Sequence, residues 1–253
     1  MTLEIVTVPC LSDNYAYLIR DDRTGATAVV DAPHADPIAA SLASRGWRLD
    51  KILITHHHFD HIGGVERLKR DHGATIVGAA SDSSRLPPLD EAVSEGDSVA
   101  VGDAVCRILD VSGHTVGHIA YVFPGAAFTA DSLMALGCGR VFEGTAEMMW
   151  SSLSKLAALP PDTEIYSGHE YTAANARFAM TVEPDNETLK RREADIARLR
   201  SENRPTVPST LSLELETNPF LRARLDSVKA SMGMPGASDA AVFAEIRKRK
   251  DNF

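Results

Sequence analysis

The stretch Thr55-His56-His57-His58-Phe59-Asp60-His61 decides how the rest of the sequence is interpreted. Four of its side chains are potential metal ligands: His56, His58, Asp60 and His61. Imidazole nitrogens and carboxylate oxygens suit zinc and neighbouring metals. The apolar run 51–54 precedes the stretch and predicts a short buried strand, so we expect the ligands on the loop that leaves this strand.

The spacing within this loop indicates two metals rather than one. Alternate positions of an extended loop point the same way, which pairs His56 with His58 and leaves Asp60 and His61 to face a second point. The spacing differs from that of a helical site, where two histidines four residues apart share one helix face. A histidine-rich tract can also be a solvated loop or an adventitious metal binder, and the stretch alone does not decide between these interpretations.

Three further strand ends carry a histidine or an aspartate. Gly113-His114-Thr115 follows the apolar strand predicted over 105–111, and Asp131 follows the apolar run 120–128. Ser167-Gly168-His169-Glu170 follows a short strand predicted over 164–166. Ligand sites in α/β sheets gather at strand ends. Together with the histidine stretch, these positions favour a functional metal site.

The order of these motifs resembles the metallo-β-lactamase superfamily, which shows THxHxDH, then GHT, an aspartate after a strand, and GHE. Further segments are similar to the glyoxalase II family, the hydroxyacylglutathione hydrolases. These segments are Val8–Tyr15, Gly137–Gly144, Gly168–Thr172 and the ending Arg247–Phe253. The resemblance covers essentially the whole chain. The first motif is specific only to the superfamily, and the later ones indicate the family.

The candidate ligands divide into two sets. One metal would take His56, His58 and His114, and the other would take Asp60, His61 and His169. Asp131, the remaining carboxylate at a strand end, would bridge both metals, and the family pattern assigns all seven residues in the same way. We expect two divalent ions, zinc first and iron or manganese as alternatives, because His/Asp sites also follow metal availability.

The chemistry expected of such a pair is hydrolytic. Two cations about 3.5–4 Å apart share a water, lower its pKa toward about 7 and polarise a carbonyl oxygen. A bridging hydroxide would attack a thioester carbonyl, with Asp60 and Asp131 as the catalytic carboxylates that hold it. A thiolate leaves without a strong proton donor, so no protein nucleophile is required, and no serine shows a base-plus-orienter arrangement.

The remaining histidines are assigned lesser roles. His57 alternates away from its neighbours and is expected to support the ligands or the structure. His118 could orient a ligand, since it lies close to His114 in the sequence. His34 and His72 are expected on the surface or at helix ends.

Substrate recognition rests on the resemblance, which implies that Arg140, Tyr171, Arg247 and Lys250 bind the glutathione moiety. A tripeptide with free carboxylates suits cationic donors. Without the family, the basic run 247–250 would be interpreted as a solvated helix end that complements the helix dipole. Two departures stand out: Val-Ser-Gly-His at 111–114 replaces the usual TPGH, and arginine occupies position 140 where many members carry lysine.

The leading hypothesis is therefore hydrolysis of S-(2-hydroxyacyl)glutathione, typically S-lactoylglutathione, to glutathione and a 2-hydroxy acid such as D-lactate. This is the second step of methylglyoxal degradation. One alternative is a mononuclear iron persulfide dioxygenase on the same scaffold, although that family generally lacks a helical C-terminal portion with a basic end. The other alternative is a non-catalytic zinc-binding protein, but structural zinc sites are usually closed and often cysteine-rich.

The resemblance and the element order predict an α+β protein with a four-layer αββα sandwich and a small helical C-terminal domain. We expect a catalytic domain over residues 1–170 and a helical substrate-binding domain over 171–253. Strands are predicted at 3–9, 15–20, 27–31, 51–54, 75–78, 99–101, 105–111, 120–123, 127–130 and 164–166. Helices are predicted at 37–45, 64–72, 147–159, 173–182, 187–202, 220–231 and 238–249, with a Pro-rich loop over 204–209.

Composition narrows the class of protein. The chain has 253 residues, 44% of them hydrophobic and 24% charged, which is ordinary for a globular protein. A net charge of −9 argues against a nucleic-acid partner. No apolar run approaches the ~18 residues of a membrane span. The cysteines, Cys10, Cys106 and Cys138, are far apart and odd in number, so we expect buried thiols and a cytoplasmic location. A monomer is the expected state, although no sequence feature specifies it.

Overall fold

The computed structural model of the protein describes residues 3–253, which leaves out Met1 and Thr2. Two compact units can be distinguished in it. The first unit runs to Asp110 and includes Gly117–Phe128, and the second comprises Val111–Val116 and Thr129–Phe253. The boundary expected between residues 170 and 171 stays a prediction.

The first sheet lies within the first unit and follows the order of the chain. Its strands are β1 (Leu3–Cys10), β2 (Asn14–Asp21), β3 (Thr27–Val30), β4 (Lys51–Leu53), β5 (Thr75–Ala79) and β6 (Glu91–Val93). β1, β2 and β3 pair antiparallel, whereas β3 to β6 pair in parallel. Because β3 and β4 run in the same direction, their carboxyl ends lie at the same edge of the sheet. Parallel neighbours also need crossover connections.

Helices provide these crossovers. α1 (Ala35–Arg45) connects β3 to β4, and α2 (Phe59–Ile62) and α3 (Val65–His72) connect β4 to β5. Helix α1 begins at His34, whose side chain accepts a hydrogen bond from the Asp36 backbone, and ends at Gly46 in the left-handed conformation. Its apolar face packs on the first sheet through Ile38 and Leu42, both fully buried.

The second sheet has the strand order β14-β13-β10-β9-β8-β7. Its strands are β7 (Ser98–Val101), β8 (Ala104–Asp110), β9 (Ile119–Phe123), β10 (Ala126–Ala130), β13 (Glu164–Ser167) and β14 (Ser209–Thr210), and a hairpin of β11 (Leu133–Met134) and β12 (Gly137–Cys138) follows β10. Within the first unit the sheets touch. The Tyr121 hydroxyl donates to the carbonyl oxygens of Ile54 at 2.9 Å and Val77 at 3.3 Å, which satisfies a phenol buried between them.

Helices dominate the second unit. They are α4 (Ala146–Ala157), α5 (Thr172–Val182), α6 (Glu187–Ser201), α7 (Leu211–Thr217), α8 (Pro219–Arg222), α9 (Asp226–Ser231) and α10 (Asp239–Asp251). Side-chain caps at Thr145, Asn186, Thr210, Asn218 and Ser238 begin five of them. α5 and α6 enclose Leu136 in an apolar cluster with Ala176, Ala179, Leu189 and Ile196.

Most predicted elements are confirmed within a few residues, and two predictions are wrong. The extended loop expected after β4 contains the helical turn Phe59–Ile62. The helix expected over 220–231 is interrupted at Leu225, whose backbone is extended, with φ −82° and ψ 135°. Several elements were not predicted from the sequence. They are the helix Leu211–Thr217, which is capped by the Thr210 side chain, the strands β6 and β14, and the β11–β12 hairpin.

Candidate metal centre

The histidine stretch begins at the carboxyl end of β4, where Thr55 bonds to Asp31 beside the end of β3. Asp31 accepts from the Thr55 backbone N–H at 2.9 Å, from the Thr55 hydroxyl at 2.8 Å and from His61 Nδ1 at 2.7 Å. Asp31 is only 2% exposed, so these bonds lie in a low-dielectric setting where they are strong. This carboxylate therefore fixes both the start of the stretch and its last histidine.

These contacts assign the protons of two imidazole rings. Because a carboxylate can only accept, the Nδ1 of His61 carries a proton, so Nε2 is the nitrogen available to a metal. The Thr55 hydroxyl donates to Asp31 and lies 3.0 Å from His56 Nδ1, so it accepts from that nitrogen. His56 Nε2 therefore also carries a lone pair, and it lies 3.1 Å from His58 Nδ1.

The helical turn Phe59–Ile62 separates the directions of the last two ligands. Consecutive residues of a helix point about 100° apart, so Asp60 and His61 diverge without an extended loop. Asn14, buried in β2, donates to both the carbonyl oxygen and Oδ2 of Asp60 at 3.0 Å each. The divergence that the spacing predicted is produced by this turn and held by Asn14.

The second unit contributes three more candidate ligands, all buried: His114, Asp131 and His169. His114 Nδ1 donates to the carbonyl oxygen of Arg140 at 2.8 Å, which leaves the lone pair on Nε2. Asp131 Oδ2 lies 3.4 Å from His114 Nε2 and 3.3 Å from His169 Nε2. One carboxylate oxygen thus faces a ring nitrogen on each side.

The backbone of Gly139 packs closely against Asp131 and His114. A Cβ at this position would lie 2.1 Å from the Asp131 carbonyl oxygen and 2.8 Å from His114 Nδ1. The Gly139 N–H donates to that same carbonyl at 3.0 Å. The glycine in the sequence motif 137–140 therefore has a steric reason, because any side chain would push the two ligands apart.

The donor atoms fit a metal site. Both units contain histidine and aspartate side chains able to bind a metal ion: His56, His58, Asp60 and His61 in the first unit, and His114, Asp131 and His169 in the second. Zinc–nitrogen bonds of 2.0–2.1 Å in a tetrahedron imply about 3.3 Å between neighbouring ligand atoms. The ligand-atom separations of 3.1, 3.3 and 3.4 Å match that value. The assignment of each ligand to a particular ion stays a prediction.

The other histidines support this stretch or lie away from it. His57 Nδ1 lies 3.0 Å from the buried carboxylate of Asp82, as expected of a supporting residue. His118 is fully buried and stacks on His56, with ring centroids 4.5 Å apart and planes inclined by 14°. His34 caps α1 and His72 lies in the last turn of α3, which confirms both as helix-end residues.

Tyr171 and Arg140, two of the four predicted substrate-binding residues, offer accessible side chains in the second unit. The Tyr171 ring stacks on His169 at a centroid distance of 4.6 Å, and the residue is 40% exposed. The Arg140 side chain is 62% exposed, and its Nε lies 3.7 Å from Asp251. Both can therefore contact a ligand beside the second unit's candidate metal ligands.

Arg247 and Lys250 are more enclosed. Arg247 is buried, donates to the Cys138 carbonyl at 2.9 Å and pairs with Asp251 at 2.8 Å. Lys250 donates to the Ala174 carbonyl at 3.2 Å and lies 5.3 Å from the centroid of the Phe178 ring. Burial, followed by the positive charges of nearby arginines, lowers the pKa of Lys250 to about 8. The binding roles of all four residues stay predictions.

The cysteines take no part in this chemistry. All are free and buried, as expected. Burial raises the pKa of Cys10 to about 11, of Cys106 to about 12 and of Cys138 to about 11. The thiolate, the reactive form, is therefore scarce at neutral pH.

Sequence reasoning missed Asp31 and Asn14 as supports of the ligands. Asp31 did carry a signal, since it follows the apolar strand β3 in the manner of the other strand-end residues. Asn14 lies in the family segment Val8–Tyr15, but a single asparagine near the start of a strand does not indicate a partner 46 residues away.

Two family models match the chain. The model of the metallo-β-lactamase superfamily matches residues 12–169, and that of the hydroxyacylglutathione hydrolase C-terminus matches residues 170–253. A hydroxyacylglutathione hydrolase from Ruegeria pomeroyi is 62% identical, with all of both chains covered. One from Methylococcus capsulatus is 52% identical, with 99% of each chain covered.

Solved structures agree on the fold. The crystal structure of ETHE1 from Myxococcus xanthus matches with a TM-score of 0.70 and 26% identity, covering 98% of this chain and 90% of that one. The BLEG-1 B3 metallo-β-lactamase matches with a TM-score of 0.66 and 20% identity, covering 86% and 99%. In the described part of the chain, no helix has the length and apolar character to cross a membrane.

Proposed function

Because the chain belongs to the hydroxyacylglutathione hydrolase family of the metallo-β-lactamase superfamily, we propose that it hydrolyses S-(2-hydroxyacyl)glutathione to glutathione and a 2-hydroxy acid. The predicted metallo-β-lactamase fold, with mixed α/β sheets and a C-terminal helical region, is confirmed. S-lactoylglutathione, which would yield D-lactate in methylglyoxal degradation, is the substrate we expect.

One observation carries the metal-dependent part of the proposal. His56, His61 and His114 each donate Nδ1–H to a protein oxygen, so each retains its lone pair on Nε2. Metal-ligating histidines usually donate their other ring N–H to a carboxylate, a carbonyl or a hydroxyl in this way. The three rings are oriented for metal binding by the acceptors of their Nδ1–H groups, which are the Thr55 hydroxyl, the Asp31 carboxylate and the Arg140 carbonyl.

We assign two divalent cations, zinc first, to the seven predicted ligands. Five imidazoles and two carboxylates form a borderline donor set that suits zinc, with iron and manganese as further candidates. Bound there, the cations would supply an acidified water and a polarised thioester carbonyl. The carboxylates of Asp60 and Asp131 would offset part of the added positive charge.

Asp131 has the position of a shared ligand in this scheme. Its Oδ2 is nearly equidistant from a ring nitrogen of His114 and one of His169, at 3.4 and 3.3 Å. Asp60 Oδ2 accepts from Asn14 at 3.0 Å and lies 4.0 Å from His61 Nε2, which suits a ligand beside His61. Both carboxylates would therefore hold the reacting water in place, and no protein nucleophile is needed.

The exposed cations and rings of the second unit suit a glutathione thioester. Arg140 offers a guanidinium to a carboxylate, and Tyr171 offers a ring face and a hydroxyl beside His169. Lys250 combines a positive charge with a partly buried position. Arg247 is already bonded to Cys138 and Asp251, so it supports this region and its replacement would also cost stability.

The test compares two thioesters on one preparation. Metal-free protein reconstituted with zinc should hydrolyse S-lactoylglutathione and bind two equivalents of zinc. A lactoyl thioester of N-acetylcysteamine, which lacks both carboxylates of glutathione, should show a KM higher by a factor of ten or more. Asp131→Ala should lose metal and nearly all turnover, because a shared ligand holds both cations.

Two results would refute the proposal. Equal KM values for the two thioesters would remove the glutathione assignment. Oxygen consumption with glutathione persulfide, without thioester hydrolysis, would replace hydrolysis by the persulfide alternative. A cytoplasmic location stays a prediction from cysteine usage, and the lack of a nucleic-acid partner stays one from net charge. The expected monomeric state also stays a prediction.

A further inference from the structure

In the chain, a short hairpin separates the predicted ligand Asp131 from Arg140, whose carbonyl accepts from His114. β11 pairs with β12 through Leu133 with Cys138 and Met134 with Gly137, so Ala135 and Leu136 form the turn. Asp131 precedes this hairpin and Arg140 follows it. Any displacement of the hairpin therefore moves a predicted ligand and the carbonyl that orients His114.

A buried carboxylate bonds to the turn of this hairpin. Glu214 of α7 is fully buried and accepts the Leu136 N–H at 2.8 Å. It also accepts from Asn218 Nδ2 at 3.0 Å, from the Ser209 hydroxyl at 2.5 Å and from the Arg192 guanidinium. With four donors around it, the carboxylate has one orientation, and its burial is compensated by pairing.

Two asparagines bond to the hairpin carbonyls. Asn218 Nδ2 donates to the carbonyl oxygens of Met134 at 3.1 Å and Gly137 at 3.0 Å. Asn175 of α5 donates to the Ala135 carbonyl at 3.0 Å. The contact is close, since a Cβ on Gly137 would lie 2.5 Å from Asn175 Nδ2. Helices α5 and α7 and the start of α8 thus hold each side of the turn.

The backbone conformation of the turn requires stabilising contacts such as those of Glu214, Asn218 and Asn175. Leu136 has φ +56°, in the left-handed region that non-glycine residues rarely adopt. Its side chain is fully buried among Ala176, Ala179, Leu189 and Ile196. A residue stays in such a conformation only where its surroundings determine it, and here the Glu214 bond and this apolar cluster do so.

We propose that Glu214, with Asn218 and Asn175, is a positioning residue for the metal ligands Asp131 and His114. The inference rests on the proposed function, in which those two ligands hold the cations. Glu214 fixes the turn, and the hairpin transmits that position at both ends. One end is the Asp131 carbonyl, which accepts the Gly139 N–H, and the other is the Arg140 carbonyl, which accepts His114 Nδ1.

The experiment compares Glu214→Gln with Glu183→Gln. Glu183 pairs with the Arg222 guanidinium through two bonds of 2.6 and 2.8 Å, so its variant also removes a carboxylate–arginine pair from the helices of the second unit. Zinc affinity is measured on metal-free protein by chelator competition, alongside thermal unfolding. Glu214→Gln should bind zinc about 10–100-fold more weakly, whereas Glu183→Gln should lower Tm and leave zinc affinity unchanged.

Asn175→Ala provides a second variant in case Glu214→Gln does not fold. This change leaves the buried Ala135 carbonyl without its donor, at a cost of about 1–3 kcal/mol that the higher helix propensity of alanine offsets in part. It should weaken zinc binding in the same direction and by a smaller factor. Raising the zinc concentration should restore kcat in both hairpin variants, because the ligands themselves are intact.

Equal zinc affinity in the hairpin variants and Glu183→Gln, within a factor of two, would overturn the positioning role. The comparison needs no thioester. A parent that binds zinc tightly but hydrolyses no glutathione thioester would refute the proposed function while the affinity comparison still decides the role of Glu214. A parent that binds no divalent cation would overturn both.

Discussion

Replacing Asp31 by asparagine tests whether a residue that is not a ligand controls the metal centre. Asparagine has the same shape and tolerates the left-handed backbone of this position, where φ is +55°. The change therefore removes a negative charge and one acceptor without a cavity or backbone strain. Its direct effects fall on Thr55 and His61, which donate the three bonds that Asp31 accepts.

The expected losses of stability and zinc affinity follow from how the three bonds are shared between the two carboxylate oxygens of Asp31. Oδ2 accepts two of them, so the amide oxygen is expected there, and the amide NH2 then faces the Thr55 backbone N–H. Leaving that buried donor unsatisfied costs about 1–3 kcal/mol of stability. The His61 bond changes from charge-assisted to neutral and loses about half its strength. A less basic His61 should lower zinc affinity about 10–100-fold, which corresponds to about 1.4–2.7 kcal/mol.

The assay measures zinc affinity by chelator competition and thermal unfolding of the metal-free protein. Asp21→Asn is the matched control, because Asp21 is 3% exposed and accepts from Arg23 N, Thr24 Oγ1 and Asp103 N. Both variants should lower Tm, but only Asp31→Asn should weaken zinc binding. Equal zinc affinities in the two variants would refute the role assigned to Asp31.

Other expected outcomes concern the ligands and the substrate. Gly139→Ala should lose metal, because its Cβ would lie 2.1 Å from the Asp131 carbonyl oxygen, and full zinc content by elemental analysis would contradict this. His56→Ala and His169→Ala should each deplete a different cation in anomalous diffraction; loss of the same cation from both would contradict two sites. Lys250 should lose its proton as pH rises through about 8, so KM for the glutathione thioester should increase above that pH and stay flat in Lys250→Arg. Its depressed pKa also means that the unfolded chain binds more protons between about pH 8 and pH 10.5, so the contribution of Lys250 to stability rises with pH in that window and is flat below it.

The regular elements could be predicted because hydrophobic periodicity and capping residues are local signals. Helix α6, for example, begins at Asn186, whose side chain accepts from the Leu189 N–H, and its buried residues Leu189, Arg192 and Ile196 recur at helical spacing. The helical turn 59–62 could not be predicted in the same way. It is too short to show a period, and the Asn14 bonds to Asp60 that accompany it come from a distant strand.

The candidate ligands could be named from the sequence because each lies in a short motif at a strand end. Their supports could not, because they act through bonds between residues far apart in the chain. Glu214 accepts from Leu136, 78 residues away, and Asp31 accepts from His61, 30 residues away. A single sequence shows neither partner, and a buried glutamate in a short helix has no distinguishing pattern around it.

Residues with a left-handed backbone conformation, which costs free energy, are concentrated near the candidate ligands and their supports. Five non-glycine residues in the described range have positive φ: Leu11, Asp31, Ala130, Leu136 and Asn203. Asn203 lies in an exposed loop and is of the type that adopts this conformation at the lowest cost. The other four adjoin the centre. Leu11 leads into Asn14, Asp31 bonds to His61, Ala130 precedes Asp131, and Leu136 turns the hairpin.

Leu11, Ala130 and Leu136 each cost roughly 1–2 kcal/mol, and Asp31 costs less because aspartate tolerates this conformation, so together they oppose folding by an appreciable fraction of the stability of a domain. That cost must be offset by bonds such as those of Asp31 and Glu214, which are buried and saturated with donors. Strain placed beside the ligands, and compensated there, is expected where ligand geometry rather than stability was selected. Zinc that binds the folded state offsets part of this free energy, so removal of zinc should lower Tm more in the parent than in Asp31→Asn, which is expected to bind zinc more weakly.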